Sequence, residues 1–422
     1  MNNTPKRNIL RELSTIGLSD IVGMGLVAVF WFFIAAQVEV EEYGELHYFI
    51  AIASFAFIVS LIGTQNVITV FTAKKIKIQA TFFFISILAA LASTIVIIVI
   101  FFRFDVGLLV LGYIIFELVN AVLLGRKAYT EYSKYFLTQK TLMVILGIGF
   151  YYLIGFDGIL YGFVLSFVPY IALIFREFKE TKIDFSLLKS RKGFIANNYA
   201  MGLSGRMGST IDKLIVAPLL GFMLLGNYSL ALQLFVILYM IPVIIYKYLL
   251  PQDASGKSNN KLRQTAVLTS VGIAVLGVVL FPHIIPNFFP KFIEAIDAIQ
   301  IMSICAIPAT VGQIYTSKLM GAEKSRTLIF ARTISASSFL ITMLLLGLTY
   351  GITGVAAAFV LSGCLVWSLI LLQLHSAALL LGGVLALYCG LGMESPLAAL
   401  ILLLIIKNVL NEKPVSIFVF FL

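Results

Sequence analysis

The chain has 422 residues, 60% of them hydrophobic and only 12% charged. Soluble globular chains carry roughly 25% charged residues, and a soluble fold could not hide this much apolar surface. Soluble enzymes, disordered chains, coiled coils and disulfide scaffolds are therefore excluded, and an all-α polytopic membrane protein remains.

The net charge of +10 is read from its placement along the chain, and no nucleic-acid partner is expected. Cys305, Cys364 and Cys389 lie in apolar stretches without metal-ligand spacing, so neither a metal nor a cofactor is expected.

At the N-terminus, Lys6 to Arg11 followed by an apolar run from Ile16 to Val38 resembles a signal peptide. The run is long and no small-residue cleavage site ends it, which fits a first spanning helix better. A span needs roughly 20 apolar residues. Spans are predicted near 16–38, 46–70, 80–102, 106–124, 136–154 and 158–175. A polar stretch from Arg176 to Asn198 follows. Six more fall near 199–221, 227–250, 265–285, 296–317, 328–349 and 352–374, and two shorter ones near 377–393 and 396–410.

The expected organisation is an N-terminal six-helix lobe (1–175), a cytoplasmic linker (176–198), a C-terminal six-helix lobe (199–375) and an additional helical hairpin with a tail (376–422). If both termini are cytoplasmic, the Lys and Arg residues fall on inside segments with four exceptions. Arg103 and Lys291 fall outside, and Arg206 and Lys213 fall within a span. Positive-inside bias predicts this alternation for a multi-pass protein of the cytoplasmic (inner) membrane. The outside loops are short and acidic, as in Glu39, Glu41, Glu42 and Glu45 or Glu294 and Asp297. That argues against membrane glycosyltransferases and polysaccharide polymerases, which build catalytic sites on large outside loops.

Residues 155–166 and 351–362 share the pattern GxxGxxxxFVLS, each copy opening the sixth helix of its half. Six is even, so both halves keep one orientation, giving parallel repeats about an axis along the membrane normal. A substrate site between such lobes is the usual arrangement.

The seventh span, Tyr199-Ala-Met-Gly-Leu-Ser-Gly-Arg206 through Asp212-Lys213, is unusually polar. Each central charge costs about 2.5–3.5 kcal/mol on insertion scales. In one continuous helix Arg206 and Lys213 share a face, two turns apart, and Asp212 is rotated away from Arg206. The stripe either lines a cavity for an anionic group such as a diphosphate or satisfies acids on neighbouring helices. Glu117 and Asn120 share a face of helix four, with Glu117 either a titratable coupling group or the partner of Arg206. Asp20 reads as a helix-start or interfacial residue. Gln65, Asn66 and Gln313 suit sugar hydroxyls or helix–helix hydrogen bonds. His47, His283 and His375 sit at membrane boundaries without ligand spacing. No GxxxxGK[ST] loop, nucleophile elbow or HExxH occurs, which leaves neither ATP-driven transport nor an enzyme as the reading.

Val40-Glu-Glu-Tyr43-Gly44 resembles the "GPEEYG" turn of polysaccharide-biosynthesis flippases. Asp212-Lys213-Leu-Ile-Val with Leu225-Gly226-Asn-Tyr228-Ser-Leu-Ala231 resembles their "D[RK]xxI…LGxYxxA" segment. Phe289-Pro-Lys-Phe-Ile-Glu-Ala295 is similar to their "FGxxYxxA" approach to helix ten, with Pro where Gly is usual. The first turn departs from the pattern, with Gln37-Val-Glu in place of Arg-Leu-Gly.

The resemblance, to a family grouped with multidrug and toxin extrusion antiporters, implies alternating access and a cationic cavity receiving a polyprenyl-diphosphate oligosaccharide. Arg206 and Lys213 are this sequence's candidates for that role. It further implies a monomer in contact with membrane lipid and with a polysaccharide polymerase. A cation-coupled multidrug antiporter is the alternative on the same fold.

Overall fold

The computed structural model describes residues 4–62, 64–189, 191–207, 210–254, 260–321 and 325–372. Every regular element among them is helical. Ten helices there are long and apolar enough to cross a membrane. One of these windows, Leu328–Cys364, holds two expected spans, and the seventh is built from two shorter helices. The first twelve expected spans are thus accounted for, and the expected pair near 377–393 and 396–410 lies outside the described residues. The chain is an all-α, multi-pass membrane protein.

It divides into two compact units, Met1–Ile215 and Val216–Leu422. The division falls later in the chain than the lobe boundary expected at 198/199.

In unit 1, α1 (Thr4–Gln37) is followed by α2 (Val40–Ser60) and α3 (Gln65–Ala73). Next come α4 (Gln79–Phe101), α5 (Phe104–Gly125) and α6 (Tyr129–Ile154). α7 (Gly158–Ser166) and α8 (Val168–Glu180) form one span interrupted at Phe167, and α9 (Ser186–Lys189) is a short cytoplasm-expected turn. α2 is capped at its start, where the Glu42 carboxylate accepts the Glu39 amide at 3.0 Å. Its acidic first turn, Glu41 and Glu42, also suits the positive end of the helix dipole.

Two expectations change here. The second span is not one helix over 46–70, because α2 stops at Ser60 and α3 starts at Gln65. The sequence between them, Leu61-Ile-Gly-Thr64, combines a glycine with a hydroxyl side chain that competes for backbone hydrogen bonds. Asp20 is not at a helix start, since α1 begins at Thr4.

Lipid supplies no hydrophobic drive between helices, so association rests on close van der Waals packing and small residues. α6 and α7 meet at Gly147 and Gly162, where a Cβ on Gly162 would lie 2.6 Å from the Gly147 amide nitrogen. Around them Phe30, Trp31, Tyr43, His47 and Phe163 form an aromatic core. His47 is buried against Trp31 rather than at a boundary.

The chain continues through α10 (Lys192–Met207) and α11 (Ile211–Leu220), the latter carrying the unit boundary. Unit 2 contains α12 (Phe222–Ala254), α13 (Asn260–Phe288), α14 (Ala295–Ile304), α15 (Ala306–Gly321) and α16 (Ser325–Leu372). α16 is two helices joined across a kink at Gly351, where φ is 60°.

The sequence repeat is also a structural one. Gly155 and Gly351 both have positive φ, at 82° and 60°. A Cβ on Gly158 would collide with the Phe150 carbonyl, and one on Gly354 with the Leu346 carbonyl. Ser166 and Ser362 each donate back to the carbonyl of the repeat phenylalanine, Phe163 at 2.6 Å and Phe359 at 2.8 Å. Each phenylalanine then packs on rings of its own unit, Phe163 on Phe30 and Phe359 on Phe235.

Candidate functional site

The interruption between α2 and α3 opens a cavity of ≈ 170 Å³ in unit 1. Its polar lining is Thr64 from the interruption and Gln65 and Asn66 from the start of α3, with Asn198, Tyr199 and Arg206 from α10. α10 reaches this position because Gly202 carries no side chain; a Cβ there would press on Thr64 Cγ2 at 3.0 Å. The Tyr199 hydroxyl donates to the Val59 carbonyl at 2.7 Å, satisfying an acceptor at the end of α2. The Thr64 hydroxyl is buried without a hydrogen-bond partner. Because α3 begins at Gln65, the positive end of its dipole adjoins the cavity.

Arg206 is the cation of this cavity. It donates to the Glu117 carboxylate of α5 and lies 5.6 Å from the centre of the Phe57 ring. Its side chain remains 38% exposed while Glu117 is 13% exposed. Of the two sequence readings of Glu117, the structure realises the partner of Arg206.

Arg206 and Lys213 do not share one uninterrupted helix: Arg206 is in α10, Thr210 is in a turn, and Lys213 is in α11. The sequence Gly202-Leu-Ser-Gly-Arg-Met-Gly-Ser-Thr210 is rich in glycine and serine, residues of weak helix propensity. Lys213 instead pairs with Asp212 at 3.7 Å, and the Asp212 carboxylate accepts the Lys213 amide at 2.9 Å. This acid sits in the first turn of α11, where the helix dipole favours it.

The other predicted residues separate into two groups. Gln65 and Asn66 join Arg206 in the cavity. Asn120, Asp20 and Gln313 make inter-helix hydrogen bonds. The Tyr170 hydroxyl donates to Asn120 at 3.2 Å, and that of Tyr132 to Asp20 at 3.3 Å. In unit 2 the Gln313 amide donates to the Tyr239 hydroxyl. Sequence reasoning missed Asn198 and Tyr199, which were assigned to the linker end and to helix seven without a role. It also missed Lys140, grouped with the inside charges although α6 starts at Tyr129 and carries it well into the span.

No protein family matches the sequence, and no curated protein matches it either. Solved structures do. The lipid II flippase MurJ in an inward closed conformation aligns with a TM-score of 0.67 at 14% identity, covering 93% of this chain and 98% of that chain. An inward-facing multidrug resistance MATE family transporter of the MOP superfamily gives 0.61 at 13% identity, covering 88% and 95%. This chain has the MurJ–MATE fold. The MATE multidrug transporter DinF-BH extends the likeness, with a TM-score of 0.58 at 16% identity over 86% and 95% of the two chains. At such identities the likeness is one of fold.

Proposed function

We propose that the chain is a flippase that moves a polyprenyl-diphosphate-linked oligosaccharide across the cytoplasmic membrane by alternating access, for cell-surface polysaccharide synthesis. The observation that carries this reading is the unit 1 cavity, in which one guanidinium, three side-chain amides and a tyrosine converge beside the start of a helix. Amides and a phenol suit sugar hydroxyls, and a guanidinium beside a helix N-terminus suits a phosphate oxygen. Arg206 can keep one edge on Glu117 and present other N–H groups to an anion, because its five donors form a planar fork. Lys213, held by Asp212, is a second cation of the same unit.

In this reading both termini are cytoplasmic, the working unit is a monomer, and a polysaccharide polymerase receives the flipped product. The test is translocation of a fluorescent polyprenyl-diphosphate oligosaccharide in proteoliposomes. Wild-type flipping that Arg206→Gln slows by about ten-fold or more supports the reading, that being the scale of one lost charge-assisted hydrogen bond. Absence of wild-type flipping across several headgroups overturns it. A cation-coupled multidrug antiporter is the second reading, favoured by the carboxylates Asp20 and Glu117 within unit 1. It predicts organic-cation efflux driven by a proton or sodium gradient in the same vesicles.

A further inference from the structure

Lys140 is an ammonium inside the membrane-spanning part of unit 1. It lies eleven residues into α6, about 16 Å from the start of a helix 26 residues long. Tyr132, Phe136 and Lys140 recur at four-residue intervals and so share one face of α6. That face looks onto α1 and α5. A Cβ on Gly23 of α1 would lie 3.4 Å from Lys140 Cγ, and the Lys140 Nζ sits 5.2 Å from the centre of the Phe116 ring of α5 and 5.4 Å from that of Phe136. Cation–π contact offsets part of the cost of a charge within a spanning helix.

Among the described residues no carboxylate forms an ion pair with Lys140. On the facing helices Asp20 accepts from Tyr132, Glu117 pairs with Arg206, and Asp105 pairs with Arg103. Lys140 nevertheless remains partly exposed. Phe116 and Glu117 are consecutive on α5, so Lys140 and Arg206 approach adjacent faces of that helix at one depth.

We propose that Lys140 is a second anion-anchoring residue, which takes the diphosphate of a lipid-linked substrate while Arg206 serves the polar cavity on the neighbouring face of α5. The assignment rests on the flippase reading. An aromatic cradle positions the ammonium and leaves its three donors without a carboxylate, a state that an incoming phosphate can satisfy and a structural ion pair cannot.

The experiment is a calorimetric titration of the purified full-length protein with farnesyl diphosphate, farnesol and inorganic diphosphate. Saturable binding of farnesyl diphosphate to wild type is expected, weakened about ten- to hundred-fold in Lys140→Gln, the scale of one charge-assisted hydrogen bond. Lys140→Arg should retain most of the affinity, and farnesol binding should not distinguish the variants. Equal affinity for inorganic diphosphate would overturn the lipid-linked source. Unchanged diphosphate binding in Lys140→Gln would overturn the anchor while leaving the flippase reading intact. A wild type that binds no diphosphate would overturn both. Thermal unfolding supplies the structural control: Lys140→Gln removes a charge from a spanning helix and should be as stable as wild type, whereas clear destabilisation would mark Lys140 as a packing residue and overturn the anchor.

Discussion

The Arg206 guanidinium donates to the Glu117 carboxylate, tying α10 to α5 across 89 residues of sequence. Each group makes the other tolerable inside a membrane. Arg206 lines the cavity and Glu117 does not, so the guanidinium edge turned from Glu117 is the part an arriving anion meets.

A double-mutant cycle separates the structural from the functional share of this pair. Arg206→Gln and Glu117→Gln should each lower thermal stability, with a coupling energy of about 0.5–3 kcal/mol, as contacting residues show. The double variant should recover stability but not transport. Recovery of both would reduce Arg206 to a structural partner.

The repeat glycines should divide sharply by position. Gly351→Ala places a side chain at φ 60°, ψ −133°, a region close to glycine-only, which costs about 1–3 kcal/mol. Gly158→Ala and Gly354→Ala force a methyl into the backbone carbonyls of Phe150 and Leu346, and should fold poorly. Gly149→Ala meets nothing within 4 Å in the same kind of helix, and should be neutral or stabilising by up to about 1 kcal/mol. Expression and melting of the four variants check this.

Arg103, with Lys291 one of the two basic residues expected outside, gathers acids. Its Nε and one terminal nitrogen bond both oxygens of Asp105 at 3.0 and 2.7 Å, and its other terminal nitrogen lies 3.2 Å from Asp157. Burial works against its charge, but the Asp105 contacts outweigh it and hold the Arg103 pKa above its ordinary value. Arg103→Gln leaves the Asp105 carboxylate, 3% exposed, without its bidentate partner. A stability loss of about 1.5–3 kcal/mol is expected, read as a lowered melting temperature, with Arg103→Lys intermediate because an ammonium cannot form the fork.

Topology is checked by single cysteines in a background lacking Cys305, Cys364 and Cys389. With the orientation proposed, Lys127→Cys, in the turn before α6, should label only from the cytoplasmic side. Asp157→Cys, whose side chain is 69% exposed in the turn before α7, should label only from outside. The reverse pattern would invert the proposed orientation.

Much of the architecture was legible because it depends on local quantities. The kink of α16 at Gly351 was foreshadowed by two apolar runs meeting at a glycine, and the repeat by identical residues at a fixed offset. The seventh span was read as one helix because apolar length was counted across Thr210, which is in a turn, while helix continuity depends on backbone propensity. Lys140 was tallied with the inside charges although it lay within the expected span 136–154, and α6, starting at Tyr129, places it eleven residues into a helix.

Composition, span length and the placement of charge thus determined an all-α, multi-pass protein with an internal repeat, because a hydrocarbon core accepts only segments that satisfy their own backbone. Tertiary structure alone decided that Arg206 meets Glu117, that Asp212 holds Lys213, that Gln65 and Asn66 join Asn198 and Tyr199, and that Lys140 rests on Phe116. Those pairings depend on which helix faces approach one another, and close packing between distant segments settles that at small residues such as Gly23 and Gly202.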